Sequence, residues 1–296
     1  MEYSELEQTE RSFLAAIHKS HGVNSRDWTA ALIYADWLEE HSHIGSNMKK
    51  AEYIRLLHEG SKIHFSSDAD VDRARLDSMA EPLFKKAKAI YKAHHIEWES
   101  RLKELGVKTC YEHQGVPVAI EVPAPEFILN GDKIIAECPS VCRLQIVVPA
   151  GKISINQEEM KKIANTKALE HFRTVSFQGV GLGDTVLKEL LQSPHLRELT
   201  SLGLSQTDIS SESAFAIARC KVMPKLQILD IGANHIGPNG LKSIIQSKEF
   251  PDLQEAYFSS CPISADAISK LDGMLQRRVK QKMQQPPGKT SPAVSR

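Results

Sequence analysis

The stretch LQILDIGANHI, residues Leu226–Ile236, decides how this chain folds, because it recurs in variant form. FRTVSFQGVGL begins at Phe172, LTSLGLSQTDI at Leu199 and LQEAYFSSCPI at Leu253, so each copy starts 27 residues after the last. Apolar residues fill the first, fourth, sixth and eleventh places: Phe172, Val175, Phe177 and Leu182; Leu199, Leu202, Leu204 and Ile209; Leu226, Leu229, Ile231 and Ile236; Leu253, Ala256, Phe258 and Ile263. Alternation in the first half predicts a short strand with one buried face. In the second half Leu187/Leu190, Ala214/Ile217, Leu241/Ile244 and Ile268/Leu271 stand three apart, which is one face of a helix. Gly183, Ser210, Gly237 and Ser264 hold the twelfth place as helix N-caps. Pro238 follows Gly237 at a first helical position, where its missing N–H costs nothing. Each unit reads as strand, turn, helix, turn.

The ninth place carries Val180, Thr207, Asn234 and Cys261. A polar side chain there can bond backbone groups of a turn that would otherwise be buried unpaired. Val180 cannot, so the first copy should have a looser turn. The pattern L-x-x-L-x-L-x-x-N-x-L resembles the leucine-rich repeat, whose usual period is about 20–29 residues. Its strand–helix alternation is similar to the ribonuclease-inhibitor type. The resemblance implies an α/β solenoid with a parallel concave sheet and convex helices. A solenoid needs capped ends. Segments 116–137 and 141–171 read as irregular N-terminal repeats, and SADAISKLDGMLQRRVKQK as a helix that closes the stack. The expected organisation is a helical domain over 1–60, a helical connector over 61–107 and capping repeats over 108–171. Regular repeats with their capping helix follow over 172–275, then a basic, disordered tail over 276–296.

Residues 1 to about 107 read as helices throughout, an all-α N-terminal domain. Ser4 with Glu7 forms a capping box, Asn24 or Ser25 caps the second helix, and Asn47 caps a third that should stop at Gly60. Pro82 is expected to kink or restart a later helix, and Gly106 to stop it. The phrase YADWLEE, Tyr34–Glu40, followed by EYIRL, Glu52–Leu56, resembles the repeat-companion domain, a small helical module found ahead of leucine-rich repeats in bacterial proteins. That resemblance covers about residues 10–272. It implies architecture and a bacterial setting and brings no enzymatic activity with it.

Lys and Arg number 37, as do Asp and Glu, so no overall charge points to nucleic acid or an anionic membrane. The acidic start lacks a signal-peptide core, and no apolar run reaches the roughly 18–20 residues of a membrane span. Five cysteines without a CxxC pair fit free thiols in a reducing cytoplasm.

The helix ALIYADWLEEHSH, Ala31–His43, concentrates aromatics, carboxylates and histidines. Its helical wheel puts Tyr34, Trp37, Leu38 and Ile33 on the packing arc, with Asp36, Glu39 and Glu40 opposite. Arg55, Lys49 and Lys50 on the next helix are candidate partners for the carboxylates. Three carboxylates on one exposed arc have no source of the divergent pKa values that acid–base catalysis needs. His41 and His43 have no closed zinc spacing. Cys138 and Cys142 are placed four apart near the end of a short helix. The expectation is no catalytic residue, no metal and no cofactor. Binding of a protein partner, in a scaffold role, is assigned to the concave strands, through Arg173, Ser176, Gln178, Ser205, Asp230, Tyr257 and Ser259. The alternative is a nucleic-acid or anionic-membrane adaptor using the basic tail, whose Arg277, Arg278, Lys280, Lys282, Lys289 and Arg296 stand without an acid among them.

Overall fold

The computed structural model describes residues 3–20, 26–66 and 72–283. The chain divides into two compact units, residues 1–146 and 147–296.

The first unit starts with α1 (Tyr3–Ser20), α2 (Thr29–Glu40), α3 (Asn47–His64) and α4 (Arg73–Glu104). It continues with β1 (Thr109–His113), β2 (Val116–Pro123), α5 (Ala124–Glu137) and β3 (Arg143–Val147). The described residues before 107 lie in helices and their connections, but the core they build does not close among helices alone. Leu14 and Ile17 of α1, Tyr34 and Leu38 of α2 and Ile54 of α3 share one cluster with Val116 and Val118 of β2. The compact unit is therefore α+β and includes the antiparallel hairpin β1–β2. Its two-residue turn uses Gln114 and Gly115, both at positive φ, the twist that suits a tight hairpin. A Cβ on Gly115 would lie 2.6 Å from Ile54 Cγ1, so the glycine also lets α3 sit against the turn.

Several helix boundaries depart from sequence expectation for local reasons. Asn24 and Ser25 lie outside the described residues, as does the Ser4 side chain. Helix α2 starts at Thr29 after Trp28, and Asp27 Oδ1 accepts the Thr29 N–H at 2.9 Å. Ser46 holds the N-cap position of helix α3 without a side-chain capping bond, and Asn47 is its first residue. It runs through buried Gly60 to His64. A Cβ at Gly60 would meet the Phe84 ring at 2.6 Å, so that glycine serves close packing on α4 and not termination. Pro82 sits inside one continuous α4. It lies on the exposed side, where water can satisfy the carbonyl it leaves unpaired. Helix α5 ends at Glu137, so Cys138 caps it and Cys142 is off it.

The second unit contains α6 (Gln157–Ala164), a 3₁₀ turn (Lys167–His171), β4 (Thr174–Ser176) and α7 (Gly183–Leu190). It continues as β5 (Ser201–Gly203), α8 (Ser211–Ala218), β6 (Ile228–Asp230), α9 (Pro238–Ile245), β7 (Glu255–Tyr257) and α10 (Ala265–Met283). Strands β4 to β7 pair in parallel with no register slip: Val175 faces Leu202, which faces Leu229, which faces Ala256. Before them, Ser154 makes an isolated parallel bridge with Gly181, and α6 packs beside α7. Val175, Leu202 and Leu229 are fully buried, as are Leu187, Leu190, Ala214, Ile217 and Leu241 from the helices. Burial of one such Leu or Ile contributes about 1.5–3 kcal/mol. This is an α/β stack of strand–helix units.

The turn after each strand is built by side chains as well as backbone. Asn234 Oδ1 accepts from Thr207 N at 3.0 Å and Ile209 N at 3.2 Å. Its Nδ2 donates to Leu204 O at 2.6 Å, Ile231 O at 3.0 Å and Gly232 O at 3.1 Å. Thr207 Oγ1 donates to Leu204 O at 2.7 Å, and Cys261 Sγ to Ile231 O at 3.4 Å. The place before this ladder is left-handed in all four copies: Gly179, Gln206, Ala233 and Ser260 have φ of 75°, 57°, 50° and 60°. On the helix side, Asp184 of α7 accepts from the N–H and hydroxyl of both Ser210 and Ser213, and so caps the helix of the next unit.

Helix α10 takes in the first basic residues of the C-terminal segment, Arg277, Arg278, Lys280 and Lys282. It continues to Met283, one residue past the stretch SADAISKLDGMLQRRVKQK that the sequence reading gave to the closing helix. Arg278 fastens α10 to the end of α9 by donating from Nη1 to Ile245 O at 2.6 Å and from Nη2 to Phe250 O. Burial lowers the pKa of that guanidinium. Residues 284–296, with Lys289 and Arg296, lie outside the described residues.

Candidate interaction surface

The face of β4–β7 turned away from the helices carries the residues assigned to partner binding. Register places Ser176 beside Gly203, Gly203 beside Asp230, and Asp230 beside Tyr257. With strands about 4.8 Å apart, this row spans roughly 14 Å. A second row is set by backbone bonds between copies. Gly179 N donates to Ser205 O, Gln206 N to Gly232 O and Ala233 N to Ser259 O, which aligns Gln178, Ser205, Gly232 and Ser259. Arg173 begins a third row, where its carbonyl accepts from Thr200 N and Ser201 N. The structure thus brings Ser176, Asp230 and Tyr257 into one row and Gln178, Ser205 and Ser259 into another. Arg173 stands at the edge.

Local bonds fix this surface. Ser176 Oγ accepts from Gln178 N at 3.2 Å, and Asp230 Oδ1 from Gly232 N at 3.0 Å. Tyr257, 50% exposed, donates its hydroxyl to Glu255 Oε2 on its own strand. The hydrogen bond to that carboxylate, and then its charge, raise the phenol pKa. Glu255 is the residue that sequence reasoning left out of the site. It sits two places before Tyr257, and period two put it on the same face. Two glycines stand on the same face. A Cβ at Gly203 would approach Ser176 Oγ to 2.7 Å, and one at Gly232 would approach Ser259 O to 3.2 Å. The row is therefore low at its centre and bounded by Tyr257 at one end. At the turn edge, Asp208 and His235 pair at 3.1 Å, and both are 75% exposed.

Two of the three carboxylates of α2, Asp36 and Glu39, are engaged within the first unit. Arg55 of α3 donates from Nε to Glu39 Oε1 at 2.7 Å, from Nη2 to Glu39 Oε2 at 3.0 Å, and from Nη2 to Asp36 Oδ1. Its hydrogen bonds to Glu39 and then to Asp36 raise the Arg55 pKa. Lys49 turns instead to Glu52 at 2.8 Å. Lys50 pairs with Glu112 of β1 at 2.8 Å, with both side chains under 10% exposed. Its ammonium lies 4.1 Å from the Trp98 ring centroid. Tyr34, Trp37 and Leu38 are buried as expected, whereas Ile33 of the same arc is 49% exposed. His41 Nδ1 bonds Trp37 O at 2.8 Å, and its ring stacks on Trp37. Among the described residues, no three His, Cys, Asp or Glu side chains converge as metal ligands. All five cysteines are buried free thiols. Burial pushes Cys138 up to about 11 and Cys110 up to about 12. No described helix is long and apolar enough to cross a membrane.

Residues 222–244, which include β6, the Asn234 turn and most of α9, match the family model described as Leucine Rich repeat. The match covers one of the four strand–helix units. Two solved structures are similar to the chain. One, described as Leiomodin-1 Actin-Binding Site 2, is 19% identical, with a TM-score of 0.40 over 54% of this chain and 90% of its own. The other, the tropomodulin C-terminal domain of Caenorhabditis elegans, is 12% identical, with a TM-score of 0.38 over 54% of this chain and 95% of its own. Comparison with curated proteins gave no match.

Proposed function

We propose that the chain is a protein-binding scaffold module whose leucine-rich repeats hold a partner on their open sheet face, without catalysing a reaction. The observation that carries this reading is the row Ser176–Gly203–Asp230–Tyr257. Small residues let a partner backbone approach the middle, and a half-exposed tyrosine, its hydroxyl already oriented by Glu255, offers an anchor at the end. Tyrosine and arginine dominate binding energy at many interfaces, and Arg173 stands at the opposite edge. Capture of partner proteins from the native host by the full chain tests it. The double substitution Arg173→Glu, Tyr257→Ala should abolish capture while leaving circular dichroism unchanged. Capture that persists in the folded double variant would overturn the assignment.

We also read residues 1–60 as the repeat-companion module and the setting as the cytoplasm of a bacterium. The YADWLEE phrase and five cysteines outside any disulfide support this. An adaptor role for the basic tail comes second, because Arg278 is committed to carbonyls within the repeats. Removing residues 284–296 and measuring RNA or anionic-vesicle binding separates the two readings.

A further inference from the structure

A pocket of about 390 Å³ in the first unit lies between the start of α2, the end of α3 and the β1–β2 turn. That volume falls within the roughly 300–1,000 Å³ of small-molecule sites. Its apolar walls are aromatic: Trp28 packs on His58 with centroids 5.2 Å apart, and Phe65 is 51% exposed. Its charged lining is mostly basic, from Arg26, His58, Lys62 and His113. Arg26 lies over the Phe65 ring, 5.0 Å from its centroid, and meets no carboxylate among the described residues. Glu59 lies 3.5 Å from Lys62 and 3.4 Å from His58, but Lys62 and Glu59 are both more than half exposed, so their pairing has little energetic weight. The acid on the wall, Asp27, turns Oδ1 to the Thr29 N–H. A chain with zero formal net charge has thus gathered two permanent cations and two imidazoles around an aromatic slot.

We propose that this pocket binds a phosphate monoester carried on a planar ring. Two permanent cations match the near-dianionic charge of such an ester at neutral pH, whereas a carboxylate offers one charge. A guanidinium presents a fork that fits phosphate oxygens, and Trp28 and Phe65 supply faces for a ring. The site is independent of the repeat surface. Both a free mononucleotide and a phosphotyrosine side chain carry this chemistry.

Phenyl phosphate is the first probe, titrated into the full chain while the Trp28 indole N–H resonance is followed. It should bind at least about tenfold tighter than inorganic phosphate or phenol, and the double substitution Arg26→Glu, Lys62→Glu should weaken it by at least about tenfold. Lys225→Glu, far along the chain in the repeats, should leave binding unchanged. Both basic positions are exposed, so circular dichroism should show the double variant folded. Adenosine monophosphate and phosphotyrosine amide then compete for the pocket, and the tighter of the two identifies the source. No shift with phenyl phosphate up to on the order of 10 mM would overturn the proposal. So would equal binding by the double variant, or binding no tighter than that of inorganic phosphate.

Discussion

Replacing Asn234 by alanine should cost far more stability than any other polar change in the repeats. The side chain is 3% exposed and serves three carbonyls and two backbone N–H groups. The carbonyls keep other donors: Leu204 O has Thr207 Oγ1, Gly232 O has Gln206 N, and Ile231 O has Cys261 Sγ. The N–H groups of Thr207 and Ile209 lose the acceptor they share. A buried polar group left unpaired costs about 1–3 kcal/mol, so two cost about 4 kcal/mol together. Thr207→Val removes one donor from a carbonyl that retains Asn234 Nδ2, and should cost at most about 1 kcal/mol. Urea unfolding by far-UV circular dichroism measures both. With a slope of about 2 kcal/mol per molar, Asn234→Ala should lower the midpoint of the repeat transition by about 2 M. Tryptophan fluorescence recorded alongside reports the first unit, since Trp28, Trp37 and Trp98 all precede residue 147. If Asn234→Ala shifts the midpoint no more than Thr207→Val, the ladder is not what holds the turns.

Asp184→Asn should destabilise the repeats by about 1–2 kcal/mol at neutral pH, with a penalty that shrinks in acid. Burial alone would raise the Asp184 pKa, but the bonds from Ser210 and Ser213 outweigh it and the folded value is lowered. The carboxylate's contribution is therefore present above the ordinary aspartate range and lost as pH falls through the lower folded value. Wild-type and variant midpoints measured from pH 7 down to 3 should converge, and a constant gap would contradict this. Ala233→Gly should stabilise by about 0.5 kcal/mol, because φ of 50° strains alanine more than glycine. Gly179→Ala, at φ of 75°, should do the reverse, and thermal midpoints decide both. Lys50→Met should cost about 3–5 kcal/mol by leaving Glu112 buried and unpaired, whereas Lys50→Met with Glu112→Leu should recover most of it. Trp98 fluorescence during denaturation follows this pair, since the ammonium sits over that ring.

The repeats were legible because their information is local and repeated. A strand of three residues is a weak signal by itself, but four strands 27 residues apart, each followed by a cap and a helix face, fix one another's register. The chemistry of the ninth place was equally readable, down to Val180 as the odd member. The first unit was less so, because its boundaries depend on contacts distant in sequence. Gly60 looks like a helix stop until Phe84 is seen against it, and Pro82 looks like a break until its exposure is known. The same holds for the site. Period two placed Asp230 and Tyr257 on one face, but only coordinates show Tyr257 bound to Glu255 or Gly203 pressed by Ser176. The carboxylates of ALIYADWLEEHSH could be sorted onto a face, yet their choice of Arg55 over Lys49 and Lys50 depended on Glu52 and Glu112.

The uneven rungs of the turn ladder give the repeat stack a mechanical gradient. Val180 contributes no rung, Cys261 only a weak thiol contact, and Asn234 with Thr207 the dense centre. Load applied at the C-terminal helix would first meet the Arg278 clamp on Ile245 and Phe250, then the soft rung at Cys261, and only then the stiff middle. The stack should give way in graded steps from its end instead of snapping as one piece. A partner that tugs on α10 could slacken β7 and its tyrosine while the strands behind keep their shape.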